Sequence, residues 1–203
     1  MQQPLPNEIS LEAFLAWEQQ QDDRFEWIDG AVVPFAGGSD DHGAIITNMT
    51  ILLGGAVAGG PCFVRGSDRR LVPQDAHGRS LGSFYSDLFV SCAQEDRVGG
   101  TAHFPSVVIE VLSPHGSGEF TTKKRAYLAS RDIKEYLIIE SVERFVTHFA
   151  WTSDRRLAVI EYDHGPVQIR SLGLVLTFEQ IYADTKTRTI LRPISPQDQI
   201  IIE

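Results

Sequence analysis

The chain has 203 residues, a formal net charge of −9 and 42% hydrophobic residues. This length suits one domain that can bury a real core, and the negative charge argues against a protein that holds nucleic acid by a broad basic surface. No apolar run approaches the length of a membrane span, and no basic segment followed by an apolar one opens the chain. We therefore expect a soluble, cytoplasmic protein without a membrane span.

The first third of the chain predicts two helices and one hairpin. Residues 1–10 are expected to be a mobile N-terminal segment, and Ser10 can cap the helix that follows it. The pair Asp29-Gly30 is a strong signal for the turn of a hairpin. Ser39 is expected to cap a second helix, which ends at Gly59-Gly60.

The two cysteines of the chain, Cys62 and Cys92, fall in or at the end of predicted strands. Two cysteines are too few for a disulfide framework. We therefore predict buried free thiols.

Two predicted strands in the middle of the chain each carry one carboxylate. Residues 84–90 are apolar or aromatic except for Ser86 and Asp87, and residues 107–112 are apolar except for Glu110. Such runs are typical of strands covered on both faces, so both carboxylates should be buried. Buried carboxylates that share a site repel each other, so one of the two is expected to have a raised pKa.

A helix that carries two lysines should follow the Glu110 strand. Phe120 and Tyr127 lie seven residues apart on one apolar stripe, with Lys123 and Lys124 between them. Both lysines flank this stripe, so periodicity does not separate them. At least one lysine is expected to face the strand that carries Glu110.

Two buried carboxylates before a lysine-bearing helix predict a metal site. Carboxylate oxygens suit Mg²⁺ or Mn²⁺, and the histidines show no spacing typical of zinc ligands. His42 lies near the start of the second helix, where capping is an ordinary role. The plainer alternative is that Asp87 pairs with an arginine such as Arg65 or Arg69, and a similar pairing is open to Glu110.

The remaining elements complete a mixed fold. Residues 144–151 and 157–162 predict a second hairpin, and a short helix is expected near residues 177–182. The order of helices, hairpins and strands indicates an α/β or α+β fold, with a mixed sheet and helices packed against it. Residues 61–134 hold ten Lys and Arg against eight acidic residues, so the positive balance falls on the segment with the proposed site.

This pattern resembles the Uma-type putative restriction endonuclease family of the PD-(D/E)XK nuclease superfamily. Ser86 replaces the proline usual in the family, and Leu112 stands where the superfamily often has its lysine. The residues that carry the resemblance are Asp87, Ile109-Glu110-Val111-Leu112-Ser113-Pro114, Lys123-x-x-x-Tyr127 and the strand at residues 134–139. The resemblance implies a restriction endonuclease-like domain over residues 11–183, with residues 184–203 as a C-terminal extension.

The resemblance also implies an activity, namely Mg²⁺- or Mn²⁺-dependent endonucleolytic hydrolysis of DNA. Asp87, Glu110 and the backbone carbonyl of Val111 would hold the metal ion. Lys123 would be the catalytic lysine, and Glu26 would reach the metal ion or its water. The alternative is a weak or inactive nuclease-fold protein that serves as a binding or scaffold module, which the acidic composition supports.

The C-terminal tail suggests an assembly. Ile200, Ile201 and Ile202 follow a polar segment interrupted by prolines. Three consecutive isoleucines at a terminus would normally be covered, so we predict a homodimer in which the partner subunit covers them. A two-fold pair would also place two sites for the two strands of a duplex.

Overall fold

The structure is a computed structural model that describes residues 9–35, 38–113, 120–154 and 156–189, together with the backbone of residues 199–202. Residues 1–8 of the segment predicted to be mobile lie outside this description. Residues 114–119, between the Glu110 strand and the lysine-bearing helix, and residues 190–198 of the proline-containing tail also lie outside it.

Four α-helices and thirteen strands form within the described residues. The helices are α1 (Leu11–Glu18), α2 (Asp40–Val57), α3 (Phe120–Ala129) and α4 (Phe178–Ile181). The strands are β1 (Phe25–Ile28), β2 (Ala31–Pro34), β3 (Phe63–Gly66), β4 (Arg70–Leu71), β5 (Leu88–Ser91), β6 (Thr101–Ala102), β7 (Pro105–Leu112), β8 (Glu135–Glu140), β9 (Val146–Trp151), β10 (Leu157–Tyr162), β11 (Val167–Ile169), β12 (Leu174–Leu176) and β13 (Gln199–Ile202).

A seven-stranded mixed sheet forms the centre of the fold, in the order β13-β10-β9-β8-β7-β5-β3. The neighbours β7 and β8 run parallel, and α3 makes the crossover that a parallel pair requires. The other neighbouring pairs of this sheet run antiparallel. The predicted fold class, a mixed sheet with helices against it, is confirmed.

The two faces of the sheet bury two separate apolar cores. On β7, Val107, Ile109 and Val111 pack in the core that α2 and α4 cover, whereas Val108 packs in the core that α3 covers. Successive side chains of a strand point to opposite faces. Glu110 therefore shares the face of Val108 and lies under α3.

The local signals of the first third of the chain are confirmed. The side chains of Ser10 and Ser39 each accept a hydrogen bond from the backbone N–H three residues along, which caps α1 and α2. Asp29 and Gly30 form the turn between β1 and β2, with φ angles of 48° and 92°. Two successive positive φ angles explain why this turn needs an aspartate followed by a glycine.

The prediction of free thiols is wrong, because Cys62 and Cys92 form a disulfide bond. Cys62 precedes β3 and Cys92 follows β5, and Phe63 lies opposite Ser91 in the antiparallel register. This register places the two cysteines opposite each other at the end of the strand pair. The pairing of β3 with β5 is a tertiary feature that cysteine counting does not reveal.

The C-terminal strand β13 lies at one edge of the sheet, antiparallel to β10. Its backbone therefore pairs within its own chain, and the homodimer stays a prediction. None of the helices in the described ranges combines the length and the apolar composition needed to cross a lipid bilayer.

Candidate active site

The two carboxylates predicted to share a site are neighbours on the α3 face of the sheet. Leu88 pairs with Ile109 in the antiparallel register of β5 and β7, which places Asp87 beside Glu110. Asp87 lies one residue before β5, rather than inside a strand as predicted. Each of the two residues is 7% exposed, so their predicted burial is confirmed.

Asp87 is held by two partners. Its Oδ2 accepts a hydrogen bond of 2.7 Å from the backbone N–H of Val111, and its Oδ1 lies 3.2 Å from Nε2 of His42. The alternative pairing with Arg65 or Arg69 is wrong, because a histidine and a backbone amide occupy the carboxylate.

Lys123 reaches the same site from α3. Its Nζ donates hydrogen bonds to Oε1 of Glu26 at 2.9 Å and to the carbonyl oxygen of Tyr85 at 3.1 Å. The same Nζ lies 3.2 Å from Oε1 of Glu110. The ammonium group is thus surrounded by three oxygen atoms from three separate parts of the chain.

The neighbouring lysine points elsewhere. Nζ of Lys124 lies 4.5 Å from the ring centroid of Phe149, over the face of that ring. The side chain of Lys124 is half-buried, whereas Lys123 is only 8% exposed. The structure therefore separates two lysines that the spacing of the apolar stripe could not.

Glu26 belongs to the interior of the site. It is 2% exposed, although alternation along its strand would equally have allowed a surface position. Its Oε1 accepts hydrogen bonds from the backbone N–H of Tyr85 at 2.8 Å and from Lys123. Glu26 thereby connects the first hairpin to the lysine of α3.

Two further side chains complete the contacts of the carboxylates. The hydroxyl of Tyr127 donates a hydrogen bond of 3.1 Å to Oε1 of Glu110, as an orienting residue would. His42 contacts Asp87, although its position in the first turn of α2 indicated only a capping role. The sequence carried no signal for this contact, because the approach of α2 to β5 is decided by the fold.

Negative charge exceeds positive charge in this buried site. Burial raises the pKa of Glu110 to about 8 and is the largest cause of the shift. The positive charge of Lys123 lowers this pKa, whereas the negative charges of Asp87 and Glu26 raise it further. This confirms the expectation of one raised carboxyl pKa. Burial alone would lower the pKa of Lys123, but Glu110 and Glu26 hold it above the ordinary lysine value.

The donor chemistry of the site fits a hard divalent cation. Asp87 and Glu110 offer oxygen ligands of the kind that Mg²⁺ and Mn²⁺ take, and a dication would neutralise the excess negative charge. The part of the chain that the structure describes contains no group of three or more His, Cys, Asp or Glu residues arranged to hold a metal ion.

A second buried cluster, which the sequence analysis missed, lies behind the site. The hydroxyl of Tyr85 donates a hydrogen bond of 2.7 Å to Oε1 of Glu18, and Arg70 forms an ion pair with Glu18. The backbone of Tyr85 contacts both Glu26 and Lys123. The cluster thus fixes the segment that positions these two residues, and its members are too far apart in sequence for spacing to reveal it.

Comparison with known proteins shows relatives of similar length. An uncharacterized protein of Synechocystis sp., slr1290, is 26% identical over 182 residues, which cover 88% of this chain and 93% of the relative. A second uncharacterized protein of the same organism, sll1609, is 28% identical over 158 residues, covering 75% of this chain and 86% of the relative.

The fold also has a counterpart among solved structures, and the sequence matches a family model. The crystal structure described as "a putative nuclease belonging to DUF820 from Anabaena variabilis" matches with a TM-score of 0.66 at 17% identity, covering 86% of this chain and 97% of that one. At this identity the match shows the fold alone. The model "Uma2: Putative restriction endonuclease" matches residues 11–183. The chain therefore belongs to the Uma2 family and has a nuclease fold.

Proposed function

We propose that this protein is a metal-dependent endonuclease that hydrolyses phosphodiester bonds of DNA, with Mg²⁺ or Mn²⁺ as its cofactor. The observation that carries the proposal is the contact between Lys123 and Glu110 in a buried site, 3.2 Å from Nζ to Oε1, beside Asp87. Membership of the Uma2 family supports it. Structural salt bridges also bury lysines, but an ordinary buried pair does not need a second carboxylate on the same ammonium group and a third, Asp87, beside them.

Asp87 and Glu110 are the residues that would hold the metal ion, and the carbonyl of Val111 would complete the set. A bound dication supplies an acidified water molecule and neutralises charge on the phosphate. His42 and the backbone N–H of Val111 hold the Asp87 carboxylate from its two oxygens, so its orientation is fixed before any ligand arrives. Tyr127 fixes Glu110 in the same way.

Lys123 acts as a positioned cation in this proposal. Its ammonium group is held by Glu26, Tyr85 and Glu110, so it is in place to stabilise negative charge that develops on the phosphate. It can also orient the attacking water. Glu26 serves as a positioning residue for Lys123, because its Oε1 already accepts two hydrogen bonds.

The competing function is a binding or scaffold module with an inactive site. The net charge of −9 favours it, because an acidic surface repels the DNA backbone. The two candidates differ in one measurable property, which is turnover in the presence of a divalent cation.

Cleavage of supercoiled plasmid tests the proposal. We expect nicked and linear products with Mg²⁺ or Mn²⁺ and none with EDTA. Lys123→Ala and Asp87→Asn should lower the cleavage rate by roughly 10²-fold or more, the scale of one well-placed electrostatic or acid–base group. The matched control is Lys124→Ala, which should act mainly on DNA affinity. A purified wild-type protein that leaves plasmid intact, or a Lys123→Ala variant as active as wild type, would contradict the proposal.

The assembly and the location belong to the same proposal. A homodimer would carry two sites for the two strands of a duplex, and the proposed location is the cytoplasm. The Cys62–Cys92 disulfide is uncommon in that compartment. The cleavage assay should therefore be run both with and without a reductant.

A further inference from the structure

A groove lies at the end of the sheet where β8 begins and β9 ends. It consists of two adjoining cavities of about 510 and 460 Å³. The first lies beside the end of α3, and the second lies on the opposite face of the sheet, where Glu135, Ala150 and Ala158 line it. The two cavities share Lys134, Trp151 and Thr152 as lining residues. We call this feature the Trp151 groove, and its other lining residues used below are Leu128, Arg131, Glu135 and Arg170.

Trp151 presents an exposed aromatic surface in this groove. It is the last residue of β9 and is 37% exposed, one of the few large apolar side chains with this much contact with solvent. Its backbone N–H donates a hydrogen bond of 2.9 Å to the carbonyl oxygen of Lys134, which fixes the end of the strand. Trp151 lies two residues after Phe149, so it shares the sheet face of the active site.

The charged rim of the groove is positive although the whole chain is acidic. Lys134 and Arg170 are exposed, and within the described ranges neither forms an ion pair. Arg131 is exposed and pairs with Asp132. The acidic lining residue, Glu135, is 3% exposed and accepts hydrogen bonds from backbone N–H groups, so its charge is already compensated.

The groove is connected to the active site along α3. Glu110 lies opposite Ile138 of β8 in the sheet. Trp151 lies beside Lys134, which is four residues before Ile138 on the chain. The site and the groove are therefore ~13 Å apart along the strand direction. Lys124 and Leu128 lie four residues apart on one side of α3, and Arg131 follows two residues after the end of the helix. Basic side chains therefore border the path from the site to the groove.

We propose that the Trp151 groove binds a single-stranded segment of nucleic acid that continues from the strand held in the active site. This inference rests on the proposed nuclease function. The indole of Trp151 stacks on one base, and Lys134, which lines both cavities, contacts an adjoining phosphate. An aromatic platform beside basic side chains is the usual arrangement for single-stranded nucleic acid. The bases of an intact duplex cannot stack on it, because neighbouring base pairs cover their faces.

Binding measured without catalysis tests this inference separately from cleavage. A fluorescein-labelled oligothymidylate is titrated with protein in EDTA, and the dissociation constant is read from fluorescence anisotropy. We expect Trp151→Ala to weaken binding roughly tenfold, within the range known for loss of one base–aromatic stack. Trp151→Phe should restore most of the affinity. Lys134→Ala should weaken binding and reduce the salt dependence by about 0.7 in the slope of log K against log salt.

The matched control is Lys186→Ala, an exposed lysine outside the groove lining, which should leave affinity unchanged. Wild-type affinity in both Trp151→Ala and Lys134→Ala, or no binding by the wild type, would overturn the inference. Equal affinity for a duplex of the same length, or equal competition by polyglutamate, would also overturn it. If Trp151→Ala and Lys134→Ala weaken binding but wild type leaves plasmid uncut, the groove binds nucleic acid and the nuclease proposal is wrong.

Discussion

Glu110 illustrates how a single residue can carry both a stability cost and a functional role. A buried carboxylate is unfavourable unless positive charge or hydrogen bonds compensate it. Here Lys123 and Tyr127 give partial compensation, whereas Asp87 and Glu26 add negative charge. The pKa of Glu110 is raised to about 8, with burial as the main cause.

This pKa shift makes the stability of the metal-free protein depend on pH. The unfolded chain loses the Glu110 proton near the ordinary value of 4.5, whereas the folded chain keeps it up to about 8. The folded state therefore binds more protons in this window, and its stability should fall as the pH rises from about 4.5 to about 8. In EDTA, we expect the melting temperature of Glu110→Gln to be close to that of wild type at pH 5 and higher than that of wild type at pH 8.5. Each kcal/mol of difference in the free energy of unfolding corresponds to roughly 2–4 °C.

Thermal melts across this pH range check the prediction, with Glu179→Gln as a control for an exposed carboxylate on α4. Mg²⁺ should raise the melting temperature of wild type at pH 8.5 and should not raise that of Glu110→Gln. Parallel pH profiles for wild type and Glu110→Gln would show that the buried charge is absent or fully compensated.

At the scale of elements, the strand pair β3–β5 receives a covalent link. The disulfide joins Cys62 and Cys92, which are 30 residues apart in sequence, at the end of β5 distant from Asp87. A loop of this size restricts the unfolded chain, which corresponds to about 3–4 kcal/mol in the chain-entropy description. The link thus strengthens an edge of the sheet without touching the site.

Reduction of this disulfide should lower stability but spare activity. We expect a reductant to lower the melting temperature of wild type by roughly 5–15 °C, taking ~2–4 °C per kcal/mol for a chain of this size. The double variant Cys62→Ser, Cys92→Ser should melt at the reduced value with or without reductant. Plasmid cleavage at a temperature where both forms are folded should be equal. If the reductant leaves the melting temperature of wild type unchanged, the two cysteines are not linked in solution.

At the scale of the whole molecule, the sheet ends in the strands β13 and β3. An edge strand offers unpaired backbone groups that can pair with a second copy. Two copies related by a two-fold axis could join their β13 edges into one continuous sheet. We predict that the proposed homodimer uses this edge, whereas the sequence analysis predicted that the partner subunit covers the isoleucines of the tail.

Light scattering on the full chain and on a variant truncated after Pro193 tests this assembly. The full chain should have about twice the monomer mass of 22.6 kDa, and the truncated chain should be a monomer because it lacks β13. A dimer of both chains would place the interface elsewhere. A monomeric full chain would remove the homodimer.

The sequence by itself determined the features that depend on local chemistry. Ser10 and Ser39 cap helices because their hydroxyls reach a nearby backbone N–H, and Asp29-Gly30 forms a turn because it tolerates positive φ. The burial of Asp87 and Glu110 also followed from the sequence, because a charge inside an apolar run has no exposed face to occupy.

The tertiary structure alone decided which of these residues meet. The contact of His42 with Asp87, the orientation of Lys123 toward Glu26 and the Cys62–Cys92 link all join segments far apart in the chain. Such contacts depend on strand order and on how helices pack over the sheet, and neither leaves a periodic mark in the sequence. Lys123 and Lys124 show most clearly what the sequence does not determine. Both lie on the same helical turn, and only the packing of the helix on the sheet places Lys123 against Glu110 and Lys124 over Phe149.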